Sequence, residues 1–279
     1  ASQQVQANER GEWKAALPAM KAGGPYTLTV SGSTKVQFED VMIGEVWLCS
    51  GQSNMEMGIG ICRDAQQEIA AADYPGIRLL KVEKSWKPQP QDDMNGTWKV
   101  CSPQTVAEGG WGGFSACGYY FGRELHKKLG VTVGLIDATW GGTRIESWTP
   151  PEGFAVVTAL KKDYDRLQMA DYRTESYQKG MEKLLGDTER WLASARKALA
   201  DHAPAPPMPT CPADMQGPHD VQNPTALYNG MIHPLCPFAL RGAIWYQGES
   251  NSSEGELYTK RMIALVAGWR QVWGEGQFP

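Results

Sequence analysis

The stretch Glu45-Val-Trp-Leu-Cys-Ser-Gly-Gln-Ser-Asn-Met-Glu56 decides how this chain is read. Its apolar run, Val46 to Cys49, stops at Ser50-Gly51, and a polar cluster follows with Ser53 two residues past the glycine. A short apolar run closed by a turn residue reads as a buried strand. The polar cluster then lies at that strand's C-terminal edge, where open α/β sheets place their ligand sites. Two further segments repeat the layout: Val133-Gly-Leu-Ile-Asp-Ala-Thr-Trp-Gly-Gly-Thr-Arg-Ile-Glu-Ser-Trp148 and Ala243-Ile-Trp-Tyr-Gln-Gly-Glu-Ser-Asn251. Three strand ends of one kind point to one shared site.

Outward from these segments, the pattern alternates strand and helix. Ile77 to Val82 predicts a strand, Tyr119 to Leu129 a helix, Val131 to Ala138 a strand, Ala243 to Tyr246 a strand and Gly255 to Trp273 a helix. Such alternation argues for a mostly parallel sheet with helices on both faces. Residues 1–43 differ. Trp13 to Leu17, Pro25 to Val30 and Lys35 to Val41 read as short strands separated by glycine and serine turns, the end of a β-sandwich rather than a domain of its own. Residues 44–279 form the main body, with a helical insertion at about 155–215. Within the insertion the spacing predicts two helices broken near Gly180–Gly186, and the proline-rich run Ala203 to Pro212 leads the chain back.

The 279 residues are 42% apolar and 21% charged, an ordinary globular composition with room for a large core. A net charge of −4 gives no basic footprint for nucleic acid. No apolar run reaches the roughly 18 residues of a membrane-spanning helix, so no membrane partner is expected. Six cysteines without a C-x-x-C pair do not make a zinc site; three disulfides or buried free thiols remain open, with Cys49 reduced inside its strand. Eleven tryptophans and ten tyrosines suit a carbohydrate site or a packed core.

A serine nucleophile needs a base, a carboxylate to orient it and donors for the oxyanion. Ser53 has the placement for the nucleophile. It also fits a helix N-cap, with Glu56 three residues on as its capping-box partner. Met55 occupies the second glycine position of G-x-S-x-G, which disfavours an α/β-hydrolase elbow. Gly141-Gly142 lets backbone approach a ligand closely, so an amide there suits an oxyanion donor, or a plain turn. Gln247 suits a second donor, and Glu249 suits orienting a base or binding a sugar hydroxyl.

Gly51-Gln-Ser-Asn-Met55, Gly141-Gly-Thr-Arg-Ile-Glu-Ser-Trp148 and Trp245-Tyr-Gln-Gly-Glu-Ser-Asn251, in this order, resemble the sialate O-acetylesterases of the SGNH hydrolase superfamily. Asn229-Gly-Met-Ile-His-Pro-Leu235 and Gly23-Gly-Pro-Tyr-Thr-Leu-Thr-Val30 fit the same family, and the likeness covers most of the chain outside the insertion. The resemblance implies a three-layer α/β/α fold with a β-sandwich portion. It implies Ser53 as nucleophile and the Ser53 amide, the Gly141 N–H and the Gln247 side chain as oxyanion hole. It implies removal of acetyl groups from sugar hydroxyls, with no cofactor or metal, in an exported (periplasmic, extracellular or lysosomal) protein. Gln52, Asn54, Arg144, Glu146, Glu249 and Asn251 are candidates for substrate contact or support. Arg144 suits a sugar carboxylate or a structural ion pair with Glu146.

The family's base is a histidine in a C-terminal D-x-x-H motif. His126, His202, His219 and His233 do not stand in one. The catalytic His and Asp are therefore expected outside this chain, on a further segment or a second polypeptide. Acetylated sialic acid is the first substrate expected, acetylated xylan or another polysaccharide the second. A non-catalytic sugar-binding protein is the reading from another class.

Overall fold

A computed structural model describes residues 1–279. In chain order the strands are β1 (Gly23–Ser31), β2 (Lys35–Ile43), β3 (Glu45–Gly51), β4 (Tyr74–Lys81), β5 (Lys99–Cys101), β6 (Val133–Thr139) and β7 (Gly242–Tyr246). The helices are α1 (Ser53–Glu56), α2 (Ala65–Ala70), α3 (Pro103–Ala107), α4 (Ala116–Leu129), α5 (Pro151–Val156), α6 (Lys161–Ala170), α7 (Glu175–Ala200) and α8 (Glu256–Trp273).

Five strands make the central sheet in the order β5-β4-β6-β3-β7. β4, β6, β3 and β7 run parallel, and β5 adds an antiparallel edge. β3 carries the serine motif and lies between β6 and β7. Gly51 therefore registers with Thr139 on one side and Tyr246 on the other. The three motifs leave the sheet at one edge because their strands are parallel and in register.

Alternation along each strand feeds two cores. Leu48, Leu80, Ile136 and Ala138 face a layer containing Trp148, Leu227, Leu265 and Trp269. Cys49, Leu79 and Leu135 face Tyr119, Phe114 and Ile59. The arrangement is the α/β/α sandwich expected, and each fully buried leucine is worth roughly 1.5–3 kcal/mol. Much of the tryptophan surplus is spent here. Trp148, Trp245, Trp269 and Trp273 form a run of edge-to-face contacts at 5.6–6.2 Å between ring centres.

Two local expectations change, and one short strand was not foreseen. β1 and β2 pair as an antiparallel hairpin, but Trp13 to Leu17 forms no strand. The break in the insertion falls at residues 171–174, not at Gly180–Gly186. Thr174 caps α7 by accepting the Tyr177 N–H, and α7 runs through both glycines. A mid-helix glycine costs only about 1 kcal/mol, and Gly180 is packed against Met169 and Met215. β5 is three residues long, too short to leave a sequence signal.

Candidate active site

Ser53 is the first residue of α1, directly past the end of β3. Gln52, not Ser53, takes the cap position, and no side chain caps the helix. The capping box is thus not made. Ser53 Oγ is not tied to its own backbone, and the residue is half-buried at the sheet edge. The N–H groups of a first helical turn have no intrahelical acceptor and carry the positive end of the peptide dipoles. Gly51 makes the turn possible. Its φ is +142°, and a Cβ there would lie 2.1 Å from the Tyr246 carbonyl oxygen.

Glu56, at the other end of α1, is only 7% exposed. Its Oε1 pairs with Lys84 Nζ at 2.5 Å, and its Oε2 accepts the Gly141 N–H at 2.6 Å. Lys84 also lies 5.5 Å from the ring centre of Trp140. Gly141 packs against the serine itself, since a Cβ built on it would lie 3.4 Å from Ser53 Cβ. The structure thus brings Gly141 to Ser53 as expected, but commits its N–H to Glu56.

Gln247 is likewise engaged. Its Nε2 donates to the Thr143 carbonyl at 3.0 Å and to Asn251 Oδ1 at 2.8 Å, and its Oε1 accepts from Tyr258 at 2.9 Å. Both amide hydrogens are used, and the side chain expected as an oxyanion donor links the β6 and β7 motifs. Burial pushes the Tyr258 phenol up from its ordinary value, keeping it a donor.

The remaining candidates are supports. Gln52 accepts the Ser250 N–H at 3.3 Å, and Asn54 donates to Glu249. Both contacts fasten the turn that bears Ser53 to the loop after β7. Asn251 accepts the Ile145 N–H at 3.0 Å and donates to Glu146 at 2.8 Å. Arg144 is bound to Glu146 and Glu254, and Arg261 bridges the same two carboxylates. Arg144 thus makes the structural ion pair, with Glu146 and Glu254, while its side chain stays 40% exposed.

None of the four histidines hydrogen-bonds Ser53. His126 contacts the Val131 carbonyl at 2.6 Å and packs on Gly76 at the N-terminal edge of the sheet. At about 3.3 Å per residue, that edge is roughly 20 Å from the Ser53 end. His233 contacts the Gln91 carbonyl at 2.8 Å. His219 sits exposed beside Asp220, and His202 is exposed just past α7. All six cysteines are free thiols, and burial raises those of Cys49 and Cys101, the latter to about 11.

Sequence reasoning gave Glu56 only a capping role and passed over Lys84, Trp140 and Tyr258. Glu56 was visible three residues after Ser53; that it reaches Gly141 rather than its own helix end follows only from the parallel register of β3 and β6.

Residues 43–185 match the family model described as carbohydrate esterase, sialic acid-specific acetylesterase. The sialate O-acetylesterase of Rattus norvegicus is 32% identical over 275 residues, covering 95% of this chain and 47% of that protein. The sialate O-acetylesterase of Homo sapiens is 30% identical over 280 residues, covering 95% and 43%. The crystal structure of a carbohydrate acetylesterase from Xanthomonas citri superposes with a TM-score of 0.70 at 33% identity, covering 99% of this chain and 49% of that one. The chain spans about half the length of these relatives. It belongs to the sialic acid-specific acetylesterase family of carbohydrate esterases.

Proposed function

We propose that this chain carries the nucleophile of a serine esterase that removes O-acetyl groups from sialic acids. The observation that supports it is Ser53: an uncapped hydroxyl at the first position of a helix, at the C-terminal edge of a parallel sheet, with Gly141 packed against its Cβ. The names of the relatives point to the same ester.

In this reading Ser53 Oγ attacks the acetyl carbonyl carbon, and the carbonyl electron pair moves to oxygen. The Ser53 N–H receives that oxyanion. The Gly141 N–H joins it by exchanging the Glu56 carboxylate for the new negative charge. The Ser53 proton passes to a histidine of a D-x-x-H segment outside residues 1–279. That histidine returns it to the sugar oxygen as the C–O bond breaks. Water then attacks the acetyl-serine, and acetate leaves. Lys84, 41% exposed at its side chain and one carboxylate away from the Gly141 amide, is a second cation beside Arg144 that could pair with a sugar carboxylate.

The test is Ser53→Ala in enzyme carrying the D-x-x-H segment, assayed for acetate release from O-acetylated sialic acid and from acetylated xylan. Loss of activity with unchanged circular dichroism is expected, with sialate the better substrate of the parent enzyme. Retained activity in the alanine variant overturns the nucleophile. Preference for xylan transfers the reading to a polysaccharide deacetylase. Sugar binding without acetate release by the parent enzyme makes it a binding protein.

A further inference from the structure

The 26 residues of α7 span roughly 39 Å, and none of them is buried. One side is half-covered by the chain itself: Gly180 packs against Met169 and Met215, and Trp191 Nε1 donates to the Pro206 carbonyl at 2.8 Å. Beside that side runs a stripe with nothing on it. Leu185, Leu192 and Leu199 are 56%, 42% and 76% exposed. They are seven residues apart, so they fall on one seam of the helix, the spacing of a coiled-coil position.

The residues that complete the seam are Met181, Thr188 and Ala195, each three or four positions from a leucine and half-buried. Flanking it are Glu182, Glu189 and Arg196, all exposed. The ion pairs inside α7 are Glu175–Lys179 and Asp187–Arg190, so these three flanking charges have no partner in the chain.

We infer that α7 is a self-association surface, on which a second copy of this chain packs its own α7 antiparallel about a two-fold axis. The side-chain sizes fit this arrangement. With Leu192 opposite Thr188 of the second copy, Leu185 meets Ala195 and Leu199 meets Met181, so each leucine faces a smaller or flexible side chain and the layers interdigitate. The charges choose the direction. Antiparallel pairing sets Glu182 beside Arg196 twice, by symmetry, with one Glu189–Glu189 contact at the centre. Parallel pairing would set Glu182, Glu189 and Arg196 beside Tyr177, Leu184 and Trp191 of the second copy, with no opposite charge to meet. An isologous two-fold contact also closes at the dimer and leaves no second sticky face.

Sedimentation velocity and chemical crosslinking on the protein test this without any assay of activity, and so apart from the catalytic reading. A reversible dimer is expected by about 100 μM protein, a weak association for one helix pair. Leu192→Glu should weaken it about tenfold or more while leaving helix content unchanged, because the side chain is exposed in the monomer. Glu182→Arg and Arg196→Glu should each weaken it, and the double variant should recover the parent affinity. A chain that stays monomeric at that concentration overturns the inference. So does a dimer indifferent to Leu192→Glu, or one in which the charge swap fails to restore association.

Discussion

The Glu56 carboxylate accepts the amide hydrogen of Gly141, 85 residues away in sequence, at 2.6 Å. This bond fastens the loop after β6 to the short helix that bears Ser53. In the proposed mechanism this amide exchanges Glu56 for the oxyanion. Glu56→Ala would leave the amide and the Lys84 ammonium without their partner. A polar group stranded in this way costs about 1–3 kcal/mol. Urea unfolding should report a loss in that range, and kcat for acetate release should fall with it. Glu56→Gln, which keeps an acceptor, should recover most of the stability. An alanine variant as stable as the parent would remove Glu56 from the scaffold.

Gly141 and its neighbour should separate activity from stability. A Cβ at Gly141 would meet Glu56 Oε2 at 3.2 Å and Ser53 Cβ at 3.4 Å. Gly141→Ala should therefore shift the nucleophile, and displacements up to 1 Å in such sites cost up to about 100-fold in rate. Gly142 has open space around its Cβ position but a φ of +75°. Gly142→Ala should cost about 1–2 kcal/mol of stability from left-handed backbone strain and little activity per folded molecule. Paired urea melts and acetate-release kinetics check both, and equal kcat losses in the two variants would contradict this assignment.

Gln247 distinguishes a cross-link from an oxyanion donor. As a cross-link between Thr143, Asn251 and Tyr258, its removal should lower unfolding stability by about 1–3 kcal/mol. As a donor, removal should lower kcat about 100- to 1000-fold and leave the melt unchanged. The geometry favours the first outcome for Gln247→Ala, and a melt identical to the parent's would reverse it.

Asp137 supplies a pH-dependent term. It is fully buried on β6, beside Lys81 at 3.7 Å and Thr139 at 2.7 Å, and burial raises its carboxyl above the ordinary value of 3.8. Between the unfolded and the raised folded value, the native state holds more protons than the unfolded state. Stability from this group therefore falls as pH rises through that window. Asp137→Asn, which keeps an acceptor for Thr139, should flatten that part of the curve. The variant should gain on the parent as pH climbs from below 3.8, measured by urea midpoints at a series of pH values. A constant offset between the two proteins would remove Asp137 as the source.

The amino-acid sequence by itself determined the alternation of strands and helices, the placement of Ser53 past a buried strand, and the family through three motifs. These are local matters: an apolar run of fixed length, a glycine where a Cβ cannot fit, a polar cluster after it. The sequence could not say where side chains of distant segments meet. Glu56 read as a cap because a glutamate three residues after a serine has that local use. It reaches Gly141 instead because β3 and β6 are parallel, adjacent and in register. Arg144 read as a sugar-carboxylate partner or an ion pair with Glu146, and Gln247 as an oxyanion donor; packing pairs Arg144 with Glu146 and Glu254, and Gln247 with Asn251 and Tyr258. The break in the insertion moved to Thr174 because one good cap outweighs two tolerable glycines. Only the tertiary structure decided which polar groups of the three motifs were left for chemistry, since each pairing depends on strand order, which no single segment encodes.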